Sequence, residues 1–230
     1  MTRWLWLSIA LTVAAFAGSL YVWEFHFEQL PAMVPTHWDI HGKPDQEMPR
    51  DQAFWLNFLL VPAMMAGMVV LTLVLPWLSP RKFGLDTWRN TYQYIMALIV
   101  LLFAFIHGCL AVGSFLPEFK FVYVMVAGML LFFALLGNVM GQTRKNFWVG
   151  VRTPWTLASD TVWIKTHRLA GWLWVTFGLV GAAVVLLVRR EEVLVAAFVA
   201  LMVVALAPVF YSLILYKQLE KQGKLEANHE

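Results

Sequence analysis

The chain has 230 residues, of which 60% are hydrophobic and only 13% are Asp, Glu, Lys or Arg, and its net charge is +3. Because a soluble domain carries roughly 25% charged residues, this composition excludes a water-soluble protein and predicts an integral membrane protein. The Lys and Arg residues are spread along the chain rather than gathered in one patch, so no direct binding of nucleic acid is expected.

Six apolar stretches are each long enough to cross a bilayer, which needs about 20 such residues. In chain order they are Trp4–Trp23, Ala53–Leu78, Tyr92–Leu116, Phe121–Met140, Leu169–Val188 and Val193–Tyr216. Lipid offers the backbone no hydrogen-bond partners, so each stretch must be helical. The first contains an Ala-x-Ala pattern at 15–17, as a signal peptide does, but its apolar run continues past that site, which favours a helix. We predict an all-α fold, with six transmembrane helices in a single domain over residues 1–230.

Lys and Arg are distributed unevenly between the segments that connect these spans. One side has twelve, namely Arg3, Arg81, Lys82, Arg89, Arg144, Lys145, Arg152, Lys165, Arg168, Lys217, Lys221 and Lys224. The other side has five, namely Lys43, Arg50, Lys120, Arg189 and Arg190. By the positive-inside rule the richer side is cytoplasmic, so both termini are predicted inside and the loop 24–52 outside.

The outer loop contains the run PAMVPTHWDIHGKPD at 31–45, with a turn signal at 42–44. His37, Asp39 and His41 alternate, and alternate residues of an extended strand point to one face. The three side chains are therefore candidate ligands for zinc, which accepts imidazole and carboxylate. In the other interpretation, Asp39 and Asp45 accept backbone N–H groups of the turn and His37 is hydrogen-bonded within a folded cap.

The inner loop reads GNVMGQTRKNFWVGVRTPWTLASDTVWIKTHRLAG at 137–171. A proline at 154 holds the preceding Thr153 out of helical geometry. Thr156 or Ser159 is expected to cap a short helix, on which Trp163 and His167 share a face.

Three roles are open for the polar and aromatic residues of this inner loop. In the first, the residues are structural anchors beneath the bundle. In the second, a docking surface for a cytoplasmic partner or anionic lipid is formed by Trp148, Trp155 and Trp163 beside Arg144 and Arg152. In the third, a polar pocket that binds phosphate or does acid–base work is formed by His167, Asn138, Asn146 and Arg152.

A set of residue types at fixed spacing runs through the inner loop. It comprises Gly137-Asn138, Met140, Asn146, Gly150, Arg152-Thr153-Pro154-Trp155-Thr156-Leu157, Trp163, Thr166-His167-Arg168 and Gly171. This pattern resembles the SdpI-type immunity proteins, which are bacterial polytopic membrane proteins. The outer loop is similar to a module of unknown function that precedes the pattern, through Pro35, His37-Trp38, Gly42 and Asp45, whereas His41 is not part of that module.

The resemblance implies a multi-pass protein of the bacterial cytoplasmic (inner) membrane that gives immunity to, or senses, a membrane-acting peptide toxin. It also implies signalling to a cytoplasmic regulator protein through residues 141–168, with membrane lipids as further partners. Residues 1–80 would form the N-terminal module and 121–216 the SdpI-like region, without catalytic residues or a cofactor. The candidate binding residues are Asn138, Arg144, Asn146, Arg152, Thr153, Trp155, Thr156, Trp163, His167, His37, Trp38 and Asp45.

Two other classes of function remain as alternatives. A membrane-embedded enzyme, for example a metal-dependent hydrolase, would use the polar loops, although no nucleophile elbow or His-Glu-x-x-His motif occurs. A solute transporter is least favoured, because His107 has no carboxylate partner within the spans. We expect His107 to be a neutral histidine bonded to a neighbouring helix, and the alternative is a substrate or proton contact.

Overall fold

The computed structural model describes residues 2–39, 41–80, 84, 88–116 and 122–225. Its helices are α1 (Arg3–Phe25), α2 (Arg50–Leu78), α3 (Arg89–Phe115), α4 (Val122–Met140), the one-turn α5 (Pro154–Ala158), α6 (Asp160–Val188) and α7 (Glu191–Lys221). A 3-10 turn (Phe27–Gln29) and two antiparallel strands, β1 (Met33–Trp38) and β2 (Pro44–Pro49), lie between α1 and α2.

Six helices of the described chain are long and apolar enough to cross a membrane, which confirms the predicted all-α membrane fold. The strand pair is a small addition within the outer loop. Phe121, at the start of the fourth predicted span, and the cations Arg81, Lys82 and Lys120 of the charge distribution lie outside the described residues.

Helix α6 begins at Asp160, well before the predicted span Leu169–Val188. The prediction of a separate short helix carrying Trp163 and His167 was wrong, because both residues lie in the first turns of α6. The Ser159 hydroxyl caps this helix by accepting the backbone N–H three residues later at 3.3 Å. The 29 residues of α6 extend about 44 Å, more than the roughly 30 Å of hydrocarbon, so its polar first turns project beyond the lipid.

Helix α2 contains a π-helical segment at Trp55–Leu60. Such a segment frees backbone carbonyls from the regular ladder, and here two neighbouring helices bond to them. The carbonyl of Asn57 lies 3.2 Å from Nδ1 of His107, and the carbonyl of Phe58 accepts the hydroxyl of Ser19. His107 thus bonds to a neighbouring helix, as expected of its structural interpretation, and holds α3 against α2.

Helices α4 and α6 form the most extensive helix pair, and glycine allows their close approach. A β-carbon on Gly178 would lie 2.4 Å from the carbonyl oxygen of Leu130, and one on Gly171 would lie 2.8 Å from that of Gly137. The buried core beside this contact is completed by α7 through Leu194, Ala197 and Leu201.

The strand pair β1–β2, which we call the hairpin, and the loop between α4 and α6 lie at opposite ends of α6. His41, in the turn between the strands, approaches Glu191 at the start of α7 with 2.7 Å between Nδ1 and Oε2. The hairpin therefore lies at the α6–α7 junction, which we call the hairpin end. Residues 141–159 join α4 to the start of α6 at the other end; we call them the loop cap, and that end the loop end.

Candidate functional site

The loop cap is organised around Asn146, whose side chain is fully buried. Its Nδ2 donates to the carbonyls of Arg144 and Val149, both at 2.8 Å. Its Oδ1 accepts the N–H groups of Trp148 at 2.8 Å and Val149 at 2.7 Å. These four bonds use the two donors and two acceptor positions of the amide, so Asn146 shapes the loop and is not free to bind a ligand.

His167 fastens the loop cap to α6. The backbone N–H of Val151 donates to Nε2 at 2.9 Å, and Nδ1 lies 2.8 Å from the carbonyl of Trp163. Because Nε2 accepts a hydrogen bond, it carries no proton, and the proton of the neutral ring is on Nδ1. The ring also stacks on Trp163, with centroids 4.1 Å apart, and Gly150 at φ +120° gives both rings the room they occupy.

Two threonines fix the next turn of the loop cap. Thr153 caps α5 by accepting the N–H of Thr156 at 3.2 Å, and the Thr156 hydroxyl accepts the N–H of Thr153 at 2.9 Å. Thr156 is thus the reciprocal member of the capping box of α5, and of the two residues predicted to cap the helix that carries Trp163 and His167, Ser159 is the cap. The Thr153 hydroxyl also lies 3.0 Å from that of Ser212, which joins the loop cap to α7.

The exposed residues of the loop cap include Arg144, Phe147 and Arg152, and we call these three the rim. The Arg152 guanidinium lies 4.7 Å from the centroid of the Phe147 ring, as in a cation–π contact. An ion pair of 2.8 Å between Lys145 and Asp160 borders this face. The rim presents cations and one aromatic ring to the surroundings.

The three tryptophans predicted to accompany these cations have different environments. Trp163 is only 1% exposed and donates its Nε1 proton to the carbonyl of Thr143 at 3.1 Å. Trp155 is half-buried against the end of α7, and Trp148 packs on the cluster around Tyr92. Trp163 is therefore an internal anchor rather than part of an exposed surface.

The polar pocket proposed for Asn138, Asn146, Arg152 and His167 is not formed. Asn146 and His167 bond within the loop cap, and Arg152 stacks on the rim. Asn138 faces a separate groove that it shares with Arg168. Acid–base work by these four residues therefore has no support in their geometry.

Three residues that support the hairpin or the loop cap were not candidates from the sequence, namely Asn57 for the hairpin and Phe147 and Ser212 for the loop cap. Asn57 and Ser212 carry a recognisable signal, because each is a polar residue within an apolar run that must find a partner in lipid. Phe147 carries none, since an aromatic residue at headgroup level is ordinary.

Replacing Asn146 with alanine is expected to lower the free energy of unfolding by about 2–3 kcal/mol, because buried backbone groups lose their partners. Thermal unfolding of the purified protein in detergent measures this change. Arg144→Ala, in the same loop but exposed, is the control and should shift the midpoint little. Equal midpoints for the two variants would contradict the organising role of Asn146.

The hairpin is closed by a turn in which Asp39 accepts backbone protons. Its Oδ1 accepts the N–H groups of Lys43 and His41, both at 2.9 Å, and Gly42 adopts φ +74°. These bonds, that of Lys43 above all, hold the pKa of Asp39 below its ordinary value. Asp39 is thus a turn residue, as in the second interpretation of this loop.

The three predicted zinc ligands have separate partners. His37 Nδ1 lies 2.6 Å from Asp45 Oδ1, His41 pairs with Glu191, and Asp39 binds the turn. The alternation argument fails because β1 ends before Asp39 and is irregular around His37. Among the residues that the structure describes, no group of three or more His, Cys, Asp or Glu side chains is placed to hold a metal ion.

The underside of the hairpin is fixed to the bundle. Val34 is fully buried and packs with Phe54 and Phe58 of α2. The Asn57 amide donates to the carbonyl of Pro35 at 3.1 Å and to the Ser114 hydroxyl at 3.0 Å. Trp38 is half-buried, whereas His37 and Asp45 remain exposed on the outer face.

Known protein families match the regions of the chain that contain the hairpin and the loop cap. Residues 142–212 match the SdpI/YfhL protein family, and residues 10–65 match a domain of unknown function, DUF1648. The chain is 24% identical over 200 residues to the immunity protein SdpI of Bacillus subtilis (strain 168), which covers 87% of this chain and 89% of that protein. No solved structure matches significantly. The resemblance drawn from the inner loop is confirmed by this match at 142–212, and the six apolar helices indicate a multi-pass membrane protein.

Proposed function

We propose that the protein protects a bacterial cell from a membrane-acting peptide toxin by binding the peptide at the hairpin end. The observation that carries this proposal is the similarity to an immunity protein along most of both chains. The protein would lie in the inner membrane with the loop end and both termini in the cytoplasm. The excess of Lys and Arg at the loop end supports that orientation.

The charge of the outer segment favours a cationic peptide. Residues 24–52 contain six carboxylates, Glu24, Glu28, Asp39, Asp45, Glu47 and Asp51, against the two cations Lys43 and Arg50. An acidic surface raises the local concentration of a cationic ligand and speeds its association. Every residue of β2 after Pro44 is exposed, so a peptide arriving along the membrane surface meets this strand directly.

The rim is proposed as the place where a cytoplasmic regulator docks. Arginine and phenylalanine, the residue types of the rim, are both enriched in protein interfaces relative to the rest of the surface. Peptide binding alters the loop cap only to the extent that the peptide prefers one of two arrangements of the bundle. The bonds from Thr153 to Ser212 and from Val151 to His167 connect the loop cap to helices that reach the hairpin end.

Survival of a toxin-sensitive bacterium tests the proposal. Expression of the chain should raise survival against one member of a panel of cationic membrane-acting peptides. Replacing Asp45 with Asn and Glu47 with Gln together should reduce the tolerated peptide concentration about fivefold, since each exposed charge contributes about 0.5 kcal/mol. Arg152→Ala should leave survival unchanged, because the rim serves the regulator.

Glu220→Gln is the matched control, because it removes an exposed carboxylate from the loop end. Immunoblots of membrane fractions show whether each variant is present in equal amount. Absence of protection against the whole panel, with the protein present in the membrane, contradicts the immunity function. Equal protection by the double variant and the wild type contradicts binding at the hairpin.

A further inference from the structure

A groove of about 310 Å³ opens where α4 and α6 meet at the loop end. It is lined by Gly137, Asn138, Gly141, Arg168, Gly171, Trp172 and Val175. The groove exists because three of these residues lack side chains. Gly137 and Gly171 form its floor, where the two backbones touch: a β-carbon on Gly137 would lie 2.9 Å from the carbonyl oxygen of Gly171.

The two ends of the groove differ in chemistry. Arg168 and Asn138 provide a guanidinium and an amide at the end nearer the loop cap. Trp172 and Val175 lie one and two turns further along α6 and provide apolar walls. Arg168 directly precedes the uncharged stretch Leu169–Val188, so the polar end lies at headgroup level and the apolar end beside the acyl chains.

Arg168 carries a charge without a protein counterion. Its side chain is exposed, and no carboxylate in the described part of the chain forms an ion pair with it. Asp160, two turns earlier on the same helix, is paired with Lys145. A guanidinium at the edge of hydrocarbon is stabilised by an anion, and a phosphodiester offers oxygens that accept its bidentate hydrogen bonds.

We propose that this groove binds one anionic phospholipid, with its phosphate on Arg168 and Asn138 and an acyl chain along Trp172 and Val175. The apolar half of the groove selects a lipid over free phosphate, which would occupy the polar end alone. Basic sites between helices at the cytoplasmic side of a membrane have this chemistry. The site is separate from the rim and from the hairpin, so it does not depend on the proposed immunity function.

Native mass spectrometry of the full chain, extracted from vesicles of phosphatidylcholine and phosphatidylglycerol, tests the site. The wild type should retain one phosphatidylglycerol molecule. Arg168→Gln should lower retention about tenfold, as expected from loss of a charge-assisted hydrogen bond. Lys165→Gln is the matched control: it removes the same charge from an exposed residue of α6 outside the groove and should retain the lipid.

A second variant fills the groove without removing the charge. A β-carbon on Gly141 meets only the Arg168 side chain, at 3.6 Å, so the backbone has room for a side chain there, and Gly141→Leu should also reduce retention. Excess inorganic phosphate should not displace the lipid. Equal retention by Arg168→Gln and Lys165→Gln, full retention by Gly141→Leu, or displacement by phosphate would each overturn the proposal.

Discussion

Replacing Gly150 with alanine is expected to lower the free energy of unfolding by about 3–5 kcal/mol, because the change adds both backbone strain and steric overlap. Gly150 has φ +120°, a region that side chains with a β-carbon rarely adopt. The new β-carbon would also lie 2.4 Å from Nε2 of His167. To relieve this overlap the imidazole must move, which breaks its bond to the N–H of Val151 and leaves a buried donor unpaired.

Gly141→Ala is the control for Gly150→Ala, because it adds the same methyl group to the same loop. The β-carbon at position 141 makes only an ordinary contact with the Arg168 side chain. Thermal unfolding in detergent should show a large drop in midpoint for the first variant and little change for the second. If both variants unfold at the wild-type temperature, His167 does not hold the loop cap in the way described.

Replacing Gly178 with alanine should separate α4 from α6 and lower the free energy of unfolding by about 2–4 kcal/mol. Its β-carbon would lie 2.4 Å from the carbonyl oxygen of Leu130 and 2.9 Å from the backbone nitrogen of Ala134. Both neighbours are backbone atoms of α4, so they withdraw only if the whole helix moves. The denaturant dependence of unfolding, followed by circular dichroism in detergent, measures the loss.

Gly181, on the same helix, provides the comparison for Gly178. A β-carbon there would meet the Leu130 side chain at 3.3 Å, and that side chain can rotate away. Alanine also favours helix more than glycine does, by roughly 1 kcal/mol. Gly181→Ala should therefore be neutral or slightly stabilising, and a loss equal to that of Gly178→Ala would contradict the close contact of α4 and α6.

The membrane fold could be predicted from the sequence because lipid imposes one strong requirement. A stretch such as Leu169–Val188 has no charge and must satisfy its backbone internally, so its helical state follows from composition. The true start of α6 at Asp160 could not be predicted in the same way. Hydropathy reports where a helix meets lipid, whereas its polar first turns are set by a cap and by packing in the loop.

The sites were predicted less completely, because their geometry depends on the direction of individual side chains. Asn146 was recognised as a polar residue of the inner loop, but its four bonds join backbone groups within three residues of itself. The zinc hypothesis assumed a regular strand through His37 and Asp39, while β1 ends at Trp38. Pairings such as His41 with Glu191 join distant segments, and a single sequence contains no record of them.

The side-chain amide of Asn146 uses all of its hydrogen-bonding positions within the loop cap, and this order affects how a partner would bind the rim. Because backbone groups of the loop cap already have hydrogen-bond partners within it, Arg144 and Arg152 extend from an ordered loop rather than from a fluctuating coil. A regulator that docks there loses little ordering entropy on association. The affinity of such a regulator would then depend on the shape of the loop cap, and a distortion beneath Phe147 would weaken it.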